Sequence, residues 1–128
     1  MKRLVILLSV ILLLTGIAYG KDYEVKKTVD GYDVIARIDK NPPATGKNNI
    51  TITITEAGKP VTDAKVTVNY GMPAMPGMPP MDYKAEATLK GKEYTATIDL
   101  SMSGPWYIAI KIKRGDKTST MKFNVDVR

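Results

Sequence analysis

Apolar and polar residues alternate with a period of two along most of the chain. The clearest case is residues 50–55, where three isoleucines alternate with three threonines. This period places the apolar side chains of a strand on one face, so it predicts a β-strand with one buried face. The alternation recurs at residues 32–39, 64–70, 83–89, 94–100, 106–112 and 121–127. A first strand is expected near residues 23–28, and no segment has a convincing helical period.

Turn-forming residues separate these segments and predict antiparallel neighbours. Asp30-Gly31 suits a two-residue hairpin, and Asn41-Pro42-Pro43 with Gly46 predicts a longer connection. Further short turns are predicted at Gly58-Lys59-Pro60, Gly91-Lys92 and Arg114-Gly115-Asp116. Seven or eight short strands, each with one apolar face, predict an all-β fold of the immunoglobulin-like antiparallel β-sandwich type. A small β-barrel is the alternative.

The N-terminal residues have the pattern of an export signal. Lys2 and Arg3 precede an apolar run from Leu4 to Leu14, and Ala18-Tyr19-Gly20 fits the small-x-small cleavage pattern. The run is short for a membrane span, which needs about 20 apolar residues. We therefore predict a signal peptide at residues 1–20, one domain at residues 21–128, and a periplasmic or other extracytoplasmic location. An uncleaved N-terminal membrane anchor is the alternative.

Two missing residue types restrict the chemistry. The 128 residues include no Cys and no His, so the chain has no Ser-His-Asp or Cys-His nucleophile. A zinc site of the usual Cys/His kind is excluded as well. No carboxylate pair stands out as a candidate acid and base, so we do not expect an enzyme.

The charge is basic but scattered. Removing Lys2 and Arg3 with the signal lowers the formal net charge from +6 to +4. An exported protein has little access to nucleic acid, so no nucleic-acid partner is expected. The lysines are expected to serve solubility or a membrane surface.

One segment, Gly71 to Met81, breaks the alternation. It contains four methionines at every third position, Met72, Met75, Met78 and Met81, together with four prolines. The prolines predict a loop, because they donate no backbone hydrogen bond. Thioether sulfur is a soft ligand that suits Cu(I) and needs no deprotonation. Residues three apart in polyproline II geometry lie about 9 Å apart. The loop would therefore have to fold back, at Gly77 or Pro79-Pro80, for its sulfurs to share one ion.

Three interpretations of this segment remain open. The methionines bind a soft metal, cap the open end of the sandwich, or form a flexible docking surface for a partner protein. Met102 and Trp106 are candidate additions to a metal site, since an indole face attracts a nearby cation. Their phase in the alternation, however, predicts that both side chains belong to the core. Met121 is expected in the core by the same criterion.

Several of these motifs together resemble the YtkA-like family, which is related to FixH-like proteins. They are Gly58-Lys59-Pro60-Val61-Thr62-Asp63-Ala64-Lys65-Val66, Met72-Pro73-Ala74-Met75-Pro76-Gly77-Met78, the Gly91 to Tyr94 turn, and Leu100-Ser101-Met102-Ser103-Gly104-Pro105-Trp106. The resemblance extends from about Asn48 to Val127. It implies an exported immunoglobulin-like β-sandwich, and similar domains occur near heavy-metal efflux and copper-handling components. The family's loop motif corresponds to Met72, Met75 and Met78, and Met81 is added here from its spacing.

These observations lead to two functional hypotheses. In the first, the chain is a small exported protein that binds Cu(I) or Ag(I) in the loop for copper buffering, delivery or efflux. Its partner would be a membrane protein of copper efflux or assembly. In the second, the chain is a non-catalytic interaction module whose Met-Pro loop docks on a membrane protein without metal.

Overall fold

A computed structural model of the protein describes residues 22–128 as ten β-strands in two antiparallel sheets. The strands are β1 (Tyr23–Val29), β2 (Tyr32–Ile38), β3 (Gly46–Glu56), β4 (Lys59–Pro60), β5 (Lys65–Met72), β6 (Met81–Glu86), β7 (Thr88–Lys90), β8 (Glu93–Leu100), β9 (Gly104–Arg114) and β10 (Lys117–Val127). The expected export signal lies outside the described residues.

The two sheets pack face to face as a β-sandwich. The first sheet has the order β1-β2-β3-β8-β7, with β4 paired beside β3, and the second has the order β10-β9-β5-β6. The predicted all-β antiparallel sandwich is confirmed. Two of the ten strands, β4 and β7, have only two and three residues, so the eight longer strands agree with the expected number.

The core lies between the sheets and consists of the inward positions of the alternating segments. Isoleucines dominate it, for example Ile50, Ile52 and Ile54 from β3 facing Ile108 and Ile110 from β9, each with 0% of its surface exposed. Burying one such side chain contributes about 1.5–3 kcal/mol. Because alternate side chains of a strand point to opposite faces, the alternation alone predicted these core positions.

The first hairpin turn is confirmed, whereas the turn after β3 differs from the prediction. Asp30 and Gly31 both have positive φ, 51° and 85°, as a two-residue hairpin turn of the primed type requires. The turn predicted at Gly58-Lys59-Pro60 instead uses Ala57 and Gly58, with φ of 52° and 81°. Lys59 and Pro60 are therefore left to pair with β3 as the short strand β4.

The single strand predicted at residues 83–89 was wrong. The chain leaves the second sheet after the amide of Ala87 donates to the carbonyl of Val66 at 2.9 Å, and Thr88 then pairs with Thr95 in the first sheet. Alternation continues across this switch although Tyr83 and Leu89 are 41% and 40% exposed. Apolar residues on an edge strand need not belong to the core. The alternation therefore gave no sign that the chain changes sheets at Ala87.

Two side chains of β1 join the sheets along one edge. The hydroxyl of Tyr23 donates to the carbonyl of Asn124 at 3.4 Å, and the ammonium of Lys27 donates to the carbonyl of Lys122 at 2.7 Å. Unpaired carbonyls on an edge strand invite pairing with another chain. The contacts from β1 therefore protect part of the β10 edge.

Candidate metal centre

The methionine-rich segment is a hairpin between β5 and β6. Met72 is the last residue of β5, Met81 is the first residue of β6, and the two are paired directly. The predicted loop over residues 71–81 was therefore too long, and the connection is residues 73–80. The reason is that the prolines all lie inside the connection, so Gly71, Met72 and Met81 keep the amides that a ladder needs.

The close approach of the two strands depends on Gly71. A Cβ at this position would stand 1.8 Å from the carbonyl oxygen of Met81 and 3.0 Å from Cε2 of Tyr107. No side chain fits in that space. Gly71 thus permits the pairing that places Met81 opposite Met72.

The connection folds back on itself at Pro76-Gly77. The amide of Met75 donates to the carbonyl of Met78 at 3.0 Å, and the amide of Met78 donates to the carbonyl of Met75 at 2.8 Å. Gly77 has a φ of 79°, so Pro76 and Gly77 occupy the central positions of a turn that needs positive φ at its second residue. Of the two fold-back points that the sequence suggested, the chain uses this one.

This fold-back brings two methionines into direct cross-strand opposition. Directly opposed residues have their Cβ atoms about 4.5–5.5 Å apart, which is much closer than residues three apart in polyproline II geometry. The Met75 and Met78 positions are therefore much closer than polyproline II geometry would place them. A second pair, Met72 and Met81, lies at the base of the hairpin.

The four hairpin methionines differ in burial. Met72 is 1% exposed and belongs to the core, and its terminal methyl lies against Gly104, where a Cβ would stand 2.9 Å from it. Met75 and Met81 are partly buried and pack against the core, and Met78 is partly exposed at the tip. Met72 thus fills the end of the sandwich, as the capping interpretation expects, whereas the other three reach solvent.

Met102 and Trp106 lie at the same end of the molecule. Met102 follows β8 instead of extending it, and its partly buried side chain packs against the core. Trp106 is 1% exposed, and its indole Nε1 donates to the carbonyl of Met102 at 2.9 Å. Trp106 is therefore a core residue that holds the β8–β9 connection beside the hairpin.

Two tyrosines that the sequence did not single out complete this end. The ring of Tyr83 stacks on Trp106 with centroids 6.1 Å apart, and Tyr70 lies 5.5 Å from Tyr83 and 6.2 Å from Trp106. The hydroxyl of Tyr83 donates to the sulfur of Met81 at 3.5 Å. Tyr83 follows Met81 by two residues on one strand, and this spacing is the signal that could have linked them.

Charged groups near the hairpin lie on the outer surface of the second sheet. Tyr107 donates its hydroxyl to the carboxylate of Asp82. This hydrogen bond is the main reason that the pKa of Tyr107 is raised above its ordinary value, with smaller contributions from burial and from the Asp82 charge. Residues 22–128 contain no group of three or more carboxylates that could hold a metal ion.

The fold and this end of the molecule define a small β-sandwich domain with a methionine-rich hairpin. The sequence profile of the YtkA-like family matches residues 26–111, which is more than half of the chain. The chain therefore belongs to the YtkA-like family, as its motifs suggested. A search of the curated proteins gives no significant match.

A solved structure supports the fold independently. The chain is similar to a DUF4426 family protein from Pseudomonas aeruginosa PAO1, with a TM-score of 0.58 and 18% sequence identity. The match covers 80% of this chain and 93% of that one. Within residues 22–128, no helix is long and apolar enough to cross a membrane.

Proposed function

We propose that this chain is an exported, non-catalytic protein that binds Cu(I) or Ag(I) through the thioethers of its methionine hairpin, for copper buffering, delivery or efflux. The observation that carries the proposal is the cross-strand opposition of Met75 and Met78 at the hairpin tip. Two soft donors held opposite each other suit a soft monovalent ion. Thioethers carry no titratable proton, so they bind the ion without being deprotonated first.

The structure suggests different roles for the six candidate residues. Met75, Met78 and Met81 are proposed as ligands, since all three are partly exposed, and Met102 is the candidate fourth donor. Met72 and Trp106 are 1% exposed and are proposed to support the site from beneath. A site of three or four thioethers would hold the ion weakly enough to pass it on. The expected recipient is a membrane protein of copper efflux or assembly.

Competition for Cu(I) tests this proposal. The full chain is titrated anaerobically against a chromophoric Cu(I) chelator, alongside the double variant Met75→Leu/Met78→Leu and the control Met121→Leu. Met121 is 1% exposed in β10, so its replacement removes a methionine without touching the hairpin. We expect the wild type and the control to withdraw copper from the chelator, and the double variant to lose affinity at least about tenfold. Equal affinity in all three proteins would remove the hairpin from the proposal.

The docking interpretation is the second candidate function. It is favoured by Tyr83, which is 41% exposed beside the partly exposed methionines of the hairpin. An apolar, adaptable surface of this kind suits a protein partner. Capture of a membrane protein that needs Met75 and Met78, and that persists when a chelator removes Cu(I), would support docking over metal binding.

A further inference from the structure

The outer surface of the second sheet carries five exposed lysines, which we call the lysine face. They come from all four strands of that sheet: Lys65 from β5, Lys84 from β6, Lys111 and Lys113 from β9, and Lys122 from β10. The scattered positions of these residues in the sequence hid their common location. The strand register brings them together.

Strand pairing arranges the lysine face in three adjacent rows. Across the sheet the rows are Lys122-Ala109-Asn69-Lys84, Thr120-Lys111-Thr67-Glu86 and Thr118-Lys113-Lys65. Neighbouring strands are about 4.8 Å apart, so adjacent positions within a row are close together. The three rows contain five lysines, one carboxylate and otherwise only small or uncharged side chains.

Most of these positive charges lack a carboxylate partner. Lys65 lies 3.7 Å from Glu86, but within residues 22–128 the other four lysines have no carboxylate within 4.0 Å. Asp82 and Asp126 lie on the same surface in rows nearer the hairpin, and Asp82 already accepts from Tyr107. The positive field is therefore strongest away from the hairpin.

A depression of about 420 Å³ lies at the edge of this surface. The depression borders the hairpin end of the lysine face and is lined by Asn69, Asp82, Tyr83, Lys84, Tyr107 and Ala109. The ammonium of Lys122 stands 5.2 Å from the centroid of the Tyr107 ring on the same surface. Because the carboxylate of Asp82 also lines this depression, lipid phosphodiesters are expected on the lysine rows beside it instead of inside it.

We propose that the lysine face binds the surface of an anionic phospholipid bilayer, with lipid phosphodiesters on the unpaired lysines. A protein partner is disfavoured because protein interfaces are depleted in lysine and enriched in aromatic residues and arginine. The large hydrophobic residues exposed within residues 22–128, Tyr83 and Leu89, do not belong to these rows. Each lysine near an anionic membrane contributes up to about fivefold in partitioning. The proposal does not depend on metal binding.

The opposite surface of the sandwich provides an internal contrast. On the outer side of the first sheet, acidic residues balance the basic ones. The basic residues are Lys26, Arg37, Lys47 and Lys90, and the acidic residues are Glu24, Asp33, Asp39, Glu93 and Asp99. Only the second sheet thus presents an excess of positive charge. The bilayer is expected to contact that side, and the first sheet should face away.

Residue-specific acetylation tests which side contacts lipid. The full chain is treated with a limiting acetylating reagent in the presence of vesicles of phosphatidylglycerol and phosphatidylcholine in roughly equal amounts, or of phosphatidylcholine alone, and each lysine is followed by mass spectrometry. We expect Lys84, Lys111 and Lys113 to react at least about fivefold more slowly with the anionic vesicles. Lys47 and Lys90 on the first sheet should not change. The protection should disappear in about 0.5 M NaCl, where charges are screened within a few Å.

A matched pair of variants gives a second readout. The triple variant Lys84→Gln/Lys111→Gln/Lys113→Gln should lose the protection of Lys65 and Lys122, whereas the control Lys47→Gln/Lys90→Gln/Lys92→Gln should keep it. Equal acetylation rates on anionic and neutral vesicles would overturn the proposal, as would uniform slowing of every lysine. Protection by extracytoplasmic proteins but not by pure lipid would assign the face to an acidic protein and also overturn it.

Discussion

The indole Nε1 of Trp106 donates a hydrogen bond of 2.9 Å to the main-chain carbonyl of Met102. A residue near the start of β9 thereby holds the connection that precedes it, at the end of the sandwich where Met72 contacts Gly104. Because Trp106 also stacks against Tyr83 from the hairpin, one buried ring links the two connections at this end. We therefore expect the arrangement of the candidate metal centre to depend on that link.

Replacing Trp106 tests this link. Trp106→Phe removes the donor to Met102 and leaves a gap in the core, so we expect the free energy of unfolding to fall by about 2 kcal/mol. Urea unfolding followed by circular dichroism measures the change. Tyr83→Phe is the control, since this residue is 41% exposed and keeps its ring, and its cost should stay below about 0.5 kcal/mol. Equal costs would mean that the Trp106 hydrogen bond and its burial contribute little.

Two glycines in the hairpin should respond differently to alanine. Gly71→Ala places a Cβ on the carbonyl of Met81, so β5 and β6 must separate, and we expect a loss of at least about 3 kcal/mol. Gly77→Ala meets no atom within 4 Å and is opposed only by its φ of 79°, at a cost of about 1 kcal/mol. Thermal unfolding of the two variants compares them directly. A larger loss in Gly77→Ala would contradict the close approach at Gly71.

Alkaline pH should destabilise the protein partly through Tyr107. Its hydrogen bond to Asp82 raises its pKa in the folded chain, so the folded chain holds this proton more tightly than the unfolded chain does. The resulting stabilisation is fully present below the unfolded pKa of about 10 and is lost as the pH rises through the folded pKa. Urea unfolding above about pH 10 should therefore show a steeper loss in the wild type than in Tyr107→Phe.

The source of that shift can be tested separately. Asp82→Asn removes the carboxylate that accepts from Tyr107, so the tyrosinate absorbance of Tyr107 should appear at lower pH than in the wild type. The difference spectrum against Tyr107→Phe isolates this residue from the other tyrosines. An unchanged titration would mean that burial, instead of Asp82, sets the pKa.

Oxidation should distinguish the methionines by the solvent exposure of their side chains. Hypochlorite converts an accessible thioether to the sulfoxide, and accessibility decides the order. Met78, Met75 and Met81 are partly exposed and should oxidise first, whereas Met72 and Met121 are each 1% exposed and should oxidise last. Peptide mass spectrometry over a time course gives the order. Oxidation of Met121 as fast as Met78 would contradict the burial that the structure shows.

The period-two alternation predicted nearly all of the sandwich because one buried face is enough to fix which residues point inward. It placed Ile50, Ile52 and Ile54 correctly, and the two-residue turn at Asp30-Gly31 as well. It failed at residues 83–89, where the strand is an edge and its apolar side chains are partly exposed. Changing sheets at Ala87 leaves the alternation intact, so no local pattern could reveal it.

The sequence predicted which residues form the candidate site but not how deeply each side chain is buried. The regular spacing of the four methionines gave no reason to distinguish them. In the folded chain, Met72 is buried at the end of β5, and Met75 lies directly opposite Met78. Gly77 suggested the fold-back, but nothing in the sequence favoured it over Pro79-Pro80. The stacking of Tyr83 on Trp106 joins residues distant in sequence, and only the register of β5, β6 and β9 brings them together.

The switch of the chain from one sheet to the other at Ala87 has a mechanical consequence. Within residues 22–128 the chain passes between the sheets at three connections, and the one from β6 to β7 is the shortest, because Ala87 alone separates Glu86 from Thr88. A pull on the hairpin tip is therefore transmitted along β6 into the first sheet, and sliding of the sheets past each other would strain the hydrogen bond from Ala87 to Val66. A molecule that binds the hairpin is therefore mechanically coupled to both sheets.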